Sequence, residues 1–245
     1  MKIRTRVYYK PTITILQNLV LVNNHYNHLV KVLRCNIGEF ITIFNKESGE
    51  FIATIVSITK NSLAVEIIKQ IKLFEEQPVK HHLFYAPLKK DSNDFVIEKT
   101  TELGINSICN LITDRCVNKP ILHEKMESKV IQAVEQCGRL DVPSIHSPLN
   151  LQSLLNDIHS DKYQNYVFLW LNEKSTGVSI TDMKNRMQPK DNLNIAFIVG
   201  PEGGFSEQEQ KLLLSSPSIQ AIHLNTNILK AETACIAVLI ALLNL

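Results

Sequence analysis

The hydrophobic pattern of this chain changes near residue 72, and this change limits the folds that the chain can adopt. From Val7 to Ile71 the sequence consists of short β-branched segments separated by turns, with Glu39–Phe44 and Phe51–Ile58 flanking a glycine-containing loop. Short strands at this spacing predict a small β-barrel. Beyond residue 80, apolar strand-like segments alternate with helical ones, which is typical of an α/β domain with a largely parallel sheet. We therefore predict two domains, 1–72 and 73–245.

The sequence predicts one helix within the first domain and an apolar helix at the end of the second. Asn24–Arg34, between the first strands, predicts a short helix with Leu29, Val32 and Leu33 on one side. The last helix is predicted over residues 227–243, and it is apolar on nearly all sides. A helix of this kind is buried in a core or at a subunit interface.

Basic residues are concentrated in the first domain. Residues 1–72 contain ten Lys or Arg and four Asp or Glu, a balance of +6, whereas residues 73–245 contain sixteen and twenty, a balance of −4. This asymmetry points to nucleic acid or an anionic surface as a partner. A solvated basic face is the alternative.

The cysteines and the apolar segments indicate the compartment. The five cysteines are widely spaced and form no Cys-x-x-Cys pair, which predicts free thiols in a reducing environment and no metal site. The first residues lack the apolar core of a signal peptide. The most apolar stretch, Ala234–Leu243, is shorter than the roughly 20 residues that span a membrane. We expect a cytoplasmic protein without membrane association.

The clearest chemical signal is an apolar strand, Ile195–Val199, that runs into Gly-Pro-Glu-Gly-Gly at residues 200–204. Ser206 and Glu209 then form a capping box that starts a helix. Glycines let the backbone approach a ligand closely, and open α/β sheets bind ligands at the carboxyl ends of their strands. The turn lacks the Gly-Lys-Ser/Thr of a phosphate loop, and Glu202 would repel a phosphate. It predicts a cofactor with hydrogen-bonding edges and a positive centre; a plain strand-to-helix turn is the alternative.

A second strand-to-helix loop follows in the next unit of the chain. Strand 219–224 leads into Asn225-Thr226-Asn227, and the last helix starts there. Two successive loops at the same edge of a sheet can form two walls of one pocket.

These two loops resemble those of a known family. The segments Gly200-Pro-Glu-Gly-Gly-Phe-Ser206 and Leu224-x-x-x-Ile228-Leu229-Lys230-Ala-Glu232-Thr233-Ala234 are similar to the RsmE family of 16S ribosomal RNA uracil-N3 methyltransferases, which belongs to the SPOUT superfamily. Three more segments agree in the family's order, namely 28–34, 98–104 and 135–139 followed by Val142-Pro143. The chain differs from the family pattern at Asn225, where glycine is usual, and at Lys230, where arginine is usual.

The resemblance implies an α/β protein in which a PUA-like RNA-binding β-barrel precedes a SPOUT-type domain with a C-terminal trefoil knot. The implied cofactor is S-adenosylmethionine, and the implied partner is 16S ribosomal RNA of the small ribosomal subunit. Cofactor-binding residues are expected in both loops and beside them: Leu171, Val199, Gly200, Pro201, Glu202, Gly203, Gly204, Leu224, Asn225, Thr226, Ile228 and Leu229.

RNA contacts are predicted for the basic residues Arg4, Arg6, Lys31, Arg34, Arg115 and Lys230. Methyl transfer to N3 of uracil needs the N3 proton to leave. Arg139 is the candidate that stabilises the developing uracil anion, and Glu202 is a candidate base.

The apolar last helix predicts a homodimer, with Leu239 as an outward-facing position at its interface. Two other functions stay open. A different SPOUT RNA methyltransferase would share the knot but lack segments 28–34 and 135–139. A non-catalytic ribosome-associated RNA-binding protein would not need an intact cofactor loop.

Overall fold

The computed structural model describes residues 2–173, 177–187 and 192–243. Its contacts divide the chain into two units. The first unit comprises the residues up to Glu76 together with Val134–Val142, and the second comprises Gln77–Ala133 and the residues from Pro143 onward. The N-terminal unit thus includes a short segment from the middle of the chain.

The first unit is built on a five-stranded sheet with strand order β1-β3-β4-β5-β2. The β1–β3 pair is parallel and the other pairs are antiparallel. β2 and the first half of β5 alternate buried with more exposed residues, as expected where one face of a sheet covers the core, whereas β3 and the first half of β4 are buried nearly throughout. The strands are β1 (Ile3–Tyr8), β2 (Asn18–Val22), β3 (Phe40–Asn45), β4 (Gly49–Ile58) and β5 (Ser62–Lys72). The two predicted segments that flank the glycine-containing loop correspond to β3 and β4, which pair as an antiparallel hairpin.

The predicted helix over 24–34 has a different geometry in the structure. It consists of α1 (Asn23–Tyr26), which continues as a π-helix over Asn27–Val32. A π-helix has more residues per turn than an α-helix, so side chains rotate away from the face that a 3.6-residue period assigns. Leu29 is fully buried, whereas Val32 is 67% exposed. The prediction that Leu29 and Val32 lie on one side of the helix was therefore wrong.

The second unit is an α/β structure around a seven-stranded sheet with order β10-β12-β9-β11-β6-β7-β8, in which every pairing is parallel. The strands are β6 (Val79–Tyr85), β7 (Ser107–Ile112), β8 (Ser144–Asn150), β9 (Tyr166–Leu171), β10 (Val178–Ser179), β11 (Leu193–Val199) and β12 (Ile219–His223). The helices are α2 (Lys90–Glu102), α3 (His123–Cys137), α4 (Leu151–Asp157), α5 (Ile180–Arg186), α6 (Glu207–Ser215) and α7 (Ala231–Leu242). The predicted parallel α/β sheet is confirmed.

The order of the central strands creates an edge suited to a ligand. β11 pairs with β9 on one side, whereas β12, which comes after β11 in the chain, pairs with β9 on its other side. The chain therefore changes direction across the sheet at β9, and crevices form at such switch points beside the carboxyl ends of strands.

Helix α7 begins later than the sequence pattern suggests. Residues 227–230 belong to the preceding loop, and Lys230 is the N-cap. Cys235, Val238, Leu239 and Leu242 are buried, so the outward-facing assignment of Leu239 was wrong. No helix in the part of the chain that the structure describes is long and apolar enough to cross a membrane.

Candidate functional site

A cavity of about 470 Å³ lies at the carboxyl ends of β9, β11 and β12 in the second unit. Its volume is in the range of small-molecule and cofactor sites, about 300–1,000 Å³. Three parts of the chain form most of its wall: the end of β9, the turn after β11 and the loop between β12 and α7.

The turn after β11 is rigidly held by the start of α6. The backbone N–H of Gly204 donates to the carbonyl of Pro201 at 2.9 Å. The predicted capping box is present: Ser206 Oγ accepts from the N–H of Glu209 at 3.2 Å, and the Glu209 carboxylate accepts from the N–H of Ser206 at 2.8 Å. The other oxygen of the buried Glu209 carboxylate accepts from the N–H of Asp114 at 2.9 Å, which ties the turn to the loop after β7.

The packing of the Phe205 ring requires a glycine at position 200. A Cβ at this position would lie 2.8 Å from Cε2 and 3.0 Å from Cδ2 of Phe205. Phe205 is buried and meets Trp170 edge to face, with ring centroids 6.0 Å apart. Both rings line the cavity, so the small residue at 200 allows this aromatic wall to form.

Gly203 and Glu202 contact neighbouring segments. A Cβ on Gly203 would meet Cβ of Arg115 at an ordinary 3.6 Å, and Arg115 Nη1 donates to the Gly203 carbonyl at 3.0 Å. Glu202 Oε1 accepts from the backbone N–H of Lys89 at 3.1 Å. Glu202 therefore fastens the turn to the residue that precedes α2.

The loop between β12 and α7 forms the opposite wall. Asn225 does not adopt a left-handed φ; its Oδ1 accepts from the N–H of Thr226 at 2.7 Å. The side chain thus binds the backbone of the next residue in this loop. Ile228 is 73% exposed although it lines the cavity.

The charge and polarity of the wall favour a cationic ligand over a phosphate. Among the described residues, three carboxylates line it, from Glu173, Glu202 and Glu232, against two ammonium groups, from Lys89 and Lys230. The indole N–H of Trp170 is buried and has no hydrogen-bond partner among the described residues. A buried donor without a partner is costly, and an acceptor on a bound molecule would satisfy it.

Most of the predicted cofactor residues come together around this cavity. All of them line it except Gly203 and Thr226. Phe205 and Gln210 also line the wall, and the position of Phe205 directly after the glycines was a usable signal. Ser92 of α2, which also lines the cavity, carries no signal in the local sequence, because only the fold brings it there.

The predicted RNA-binding residues fall into two groups. Arg4, Lys31 and Arg34 are exposed on the first unit, where Arg4 Nη2 donates to the carbonyl of Leu33 at 2.9 Å. Arg34 has a φ of 53° and lies beyond the helical segment. Arg115 and Lys230 are exposed on the second unit.

Arg6 differs from this set because it has a structural role. The N–H groups of its guanidinium bind Glu50 and three backbone carbonyls within the first unit. We therefore do not retain Arg6 among the proposed RNA contacts.

Arg139, the candidate catalytic arginine, also belongs to the first unit. Its Nε and Nη2 donate to Oδ1 and Oδ2 of Asp141 at 3.1 and 2.6 Å. This two-point pairing fixes the plane of the guanidinium.

Comparison with known families assigns both parts of the chain. Residues 75–243 match a family model described as an RNA methyltransferase domain. Residues 23–68 match a model described as an RNA methyltransferase PUA domain.

Curated relatives are similar over nearly the whole chain. The ribosomal RNA small subunit methyltransferase E of Rickettsia conorii is 35% identical over 94% of this chain and 91% of its own length. The protein of the same name from Buchnera aphidicola (subspecies Schizaphis graminum) is 31% identical over 97% of this chain and 94% of its own.

Solved structures share the architecture. A methyltransferase from Legionella pneumophila with its bound cofactor SAM has a TM-score of 0.85 and 30% identity, covering 99% of this chain and 97% of that one. A ribosomal RNA small subunit methyltransferase E from Neisseria gonorrhoeae, bound to S-adenosyl methionine, has a TM-score of 0.81 and 27% identity, covering 97% and 95%.

Proposed function

We propose the following function for this chain, which belongs to the ribosomal RNA small subunit methyltransferase E family. It transfers a methyl group from S-adenosylmethionine to ribosomal RNA. The acceptor we propose is N3 of a specific uridine in 16S ribosomal RNA. This acceptor follows from the resemblance of the sequence motifs to the uracil-N3 methyltransferases.

The observation that carries the proposal is the cavity beside the Gly-Pro-Glu-Gly-Gly turn. Its residues fit the cofactor in three respects. The volume suits a molecule of this size, the excess of carboxylates suits a sulfonium and an ammonium group, and the unpaired indole N–H of Trp170 offers a donor. S-adenosylmethionine supplies, when bound, a methyl group on a positively charged sulfur.

The protein residues then have to bind, orient and exclude water. The aromatic pair Trp170 and Phe205 gives the cavity a dry wall. Uracil N3 lies on the base-pairing edge, so the base has to be unpaired or turned outward before it can react. Arg139 is proposed to stabilise negative charge on the uracil carbonyl oxygens as the N3 proton leaves.

Glu202 stays a proposed proton acceptor, with a second role. Its Oε1 already accepts a hydrogen bond from the N–H of Lys89, which leaves Oε2 as the proposed proton-accepting atom. Substitution of Glu202 should consequently affect both the shape of the turn and the proton transfer.

The finer features of the fold also belong to the proposal. We infer that the first unit is a PUA-like β-barrel, which its match to a PUA model supports. We infer that the segments around 200–206 and 224–230 form a trefoil knot, which the resemblance of their motifs to the SPOUT superfamily supports. True knots are rare in proteins, so this inference depends on the family.

RNA is proposed to contact the basic surface of the first unit through Arg4, Lys31 and Arg34. Phosphate contacts of this kind give affinity and position, while base contacts give specificity. A small-subunit ribosomal RNA substrate also implies a cytoplasmic site of action.

A homodimer is proposed from the outer face of α7. Thr233, Ile236, Ala237, Ile240 and Leu243 recur at helical spacing, and none of them is buried. Ile240 is 54% exposed and Leu243 is 39% exposed. A second copy of the same stripe would cover this apolar surface through a two-fold axis.

The proposed function is tested by two measurements on the full chain. Calorimetric titration with S-adenosylmethionine should give one site per chain. Mapping of modified uridines in small-subunit RNA, with and without the protein, should reveal one N3-methylated position. A protein that binds the RNA but neither binds the cofactor nor modifies a uridine would overturn the proposal.

A further inference from the structure

All five N–H donors of the Arg6 guanidinium are used inside the first unit. Nε and Nη2 donate to the two carboxylate oxygens of Glu50 at 2.9 and 3.2 Å. Nη1 donates to the carbonyls of Val134 at 2.8 Å and Glu135 at 3.2 Å, and Nη2 also donates to that of Arg139 at 2.8 Å. The guanidinium carbon lies 4.1 Å from the ring centroid of Phe44. The side chain is only 16% exposed, and it has no donor left for a phosphate.

The carbonyls that Arg6 binds belong to the segment 134–142, which is distant in sequence. Two of them lie in the last turn of α3, where unpaired carbonyls and the helix dipole favour a cation. Two further contacts hold the same segment. The N–H of Tyr8 donates to Glu135 Oε1 at 2.9 Å, and Lys72 Nζ donates to the carbonyl of Gly138 at 3.2 Å.

Glu50 completes the arrangement as the partner of Arg6. Burial alone would raise the pKa of this carboxyl, but the hydrogen bonds and charge of Arg6 and the charge of Lys72 together lower it. The buried Glu50 is 6% exposed, and its ion pair keeps the guanidinium aligned with the segment.

We propose that Arg6 is a positioning residue for methyl transfer: paired with Glu50, it fixes the loop after α3 so that Arg139 meets the uracil in one orientation. The proposal rests on the proposed function, in which Arg139 stabilises the uracil anion. Asp141 sets the plane of the Arg139 guanidinium, while Arg6 holds the Arg139 backbone carbonyl. A lysine at position 6 keeps the charge but has three donors in place of a five-donor planar fork, so it cannot hold Glu50 and three carbonyls together.

The test compares Arg6→Lys and Glu50→Gln with the native protein and with Arg4→Ala. Arg4 is the matched control, since it lies on the same strand but is exposed and is proposed to contact RNA. We expect kcat of both positioning variants to fall about 10- to 100-fold, the range that small misplacement of reacting groups produces. S-adenosylmethionine affinity, RNA affinity and the salt dependence of RNA binding should stay within about twofold, whereas Arg4→Ala should weaken RNA binding and lower the salt slope by about one.

Two further measurements separate positioning from general damage. Hydrogen exchange of the amides in 134–142 should become faster in Arg6→Lys, while that of β2, which pairs with β5, should be unchanged. The double variant Arg6→Lys/Arg139→Lys should lose little more activity than Arg139→Lys alone, because both changes affect one group.

Three outcomes would overturn the inference. Arg6→Lys could retain native kcat, it could lose RNA affinity and salt slope as a phosphate contact would, or its loss could add fully to that of Arg139→Lys. A native protein without methyl transfer would instead contradict the proposed function, so the two failures are distinguishable.

Discussion

Replacement of Gly200 by alanine should weaken S-adenosylmethionine binding without unfolding the protein. The backbone at Gly200 has an ordinary φ, so only the side-chain contact opposes the substitution. The new Cβ would lie 2.8 Å from the Phe205 ring, a distance that real Cβ contacts essentially never show. Phe205 is 4% exposed and packs against Trp170, so the ring cannot move into solvent.

The size of the effect follows from the cost of overpacking. Extra methylene groups in a packed interior typically cost about 1–3 kcal/mol. Phe205 and Trp170 form the cavity wall, so displacing the ring away from the methyl group deforms the wall and relieves the strain. Cofactor binding then has to restore the native shape of the wall, so it bears this cost of about 1–3 kcal/mol. Because about 1.4 kcal/mol corresponds to a factor of ten, the affinity should fall roughly 5- to 150-fold.

The assay is calorimetric titration of the two glycine variants with S-adenosylmethionine. Gly203→Ala is the matched control in the same turn, since its Cβ would meet Cβ of Arg115 at 3.6 Å. Its affinity should stay within about twofold of the native value, as is usual for exposed substitutions. Adding Phe205→Leu to Gly200→Ala should recover part of the lost affinity, because the smaller side chain leaves room for the methyl group. Equal losses in Gly200→Ala and Gly203→Ala, or native affinity in a folded Gly200→Ala protein, would refute the reasoning.

Three further predictions concern stability, RNA and assembly. Burial lowers the pKa of His82 to about 4 from its ordinary value of 6.5. As the pH falls, this histidine therefore binds its proton in the unfolded chain before it does so in the folded protein. The free energy of unfolding should consequently drop by about 2 kcal/mol from pH 7 to about pH 5. Urea unfolding at both pH values should show a smaller drop in His82→Gln, and an equal drop would contradict the assignment. The double variant Lys31→Ala/Arg34→Ala should lower the salt slope of RNA binding by up to about two, while cofactor affinity is unchanged; an unchanged slope would make these residues a solvated face. Ile240→Glu should dissociate the proposed dimer in sedimentation experiments. Leu214→Glu, at another exposed apolar position, is the control and should leave the dimer intact. If the Ile240→Glu protein stayed dimeric, this face of α7 would be excluded as the dimer interface.

The sequence was most informative where a local pattern determines local structure. The strand 195–199, the turn that follows it and the Ser206–Glu209 capping box each depend on residues within a few positions of one another. The capping box could be predicted because its two hydrogen bonds join residues three apart. The two cofactor loops were also predictable as neighbours, because parallel strands bring their carboxyl ends to one edge.

Local patterns failed where the structure breaks the regular period or uses distant partners. The exposure of Val32 results from a π-helical turn, which a 3.6-residue period cannot represent. The burial of Leu239 depends on which side of α7 meets the rest of the second unit, and an all-apolar helix carries no sign of that side. Gly203 was predicted to bind the cofactor but does not line the cavity. The glycines that packing requires are Gly200 and Gly204, whose Cβ atoms would lie 2.8 Å from Phe205 and Glu173.

Arg6 shows why a count of charges overstates an RNA-binding surface. In the sequence it is one of six basic residues before the first acidic one, and nothing distinguishes it from Arg4 two positions earlier. The alternation of a regular strand would place residues 4 and 6 on the same face and give both the same role, but β1 shifts its register against β3 between Ile3 and Arg6. They differ because Glu50 and the end of α3 meet Arg6, a contact between residues up to 133 positions apart. The basic surface available to RNA is therefore smaller than the +6 balance of the first 72 residues implies, and part of that charge holds the structure together.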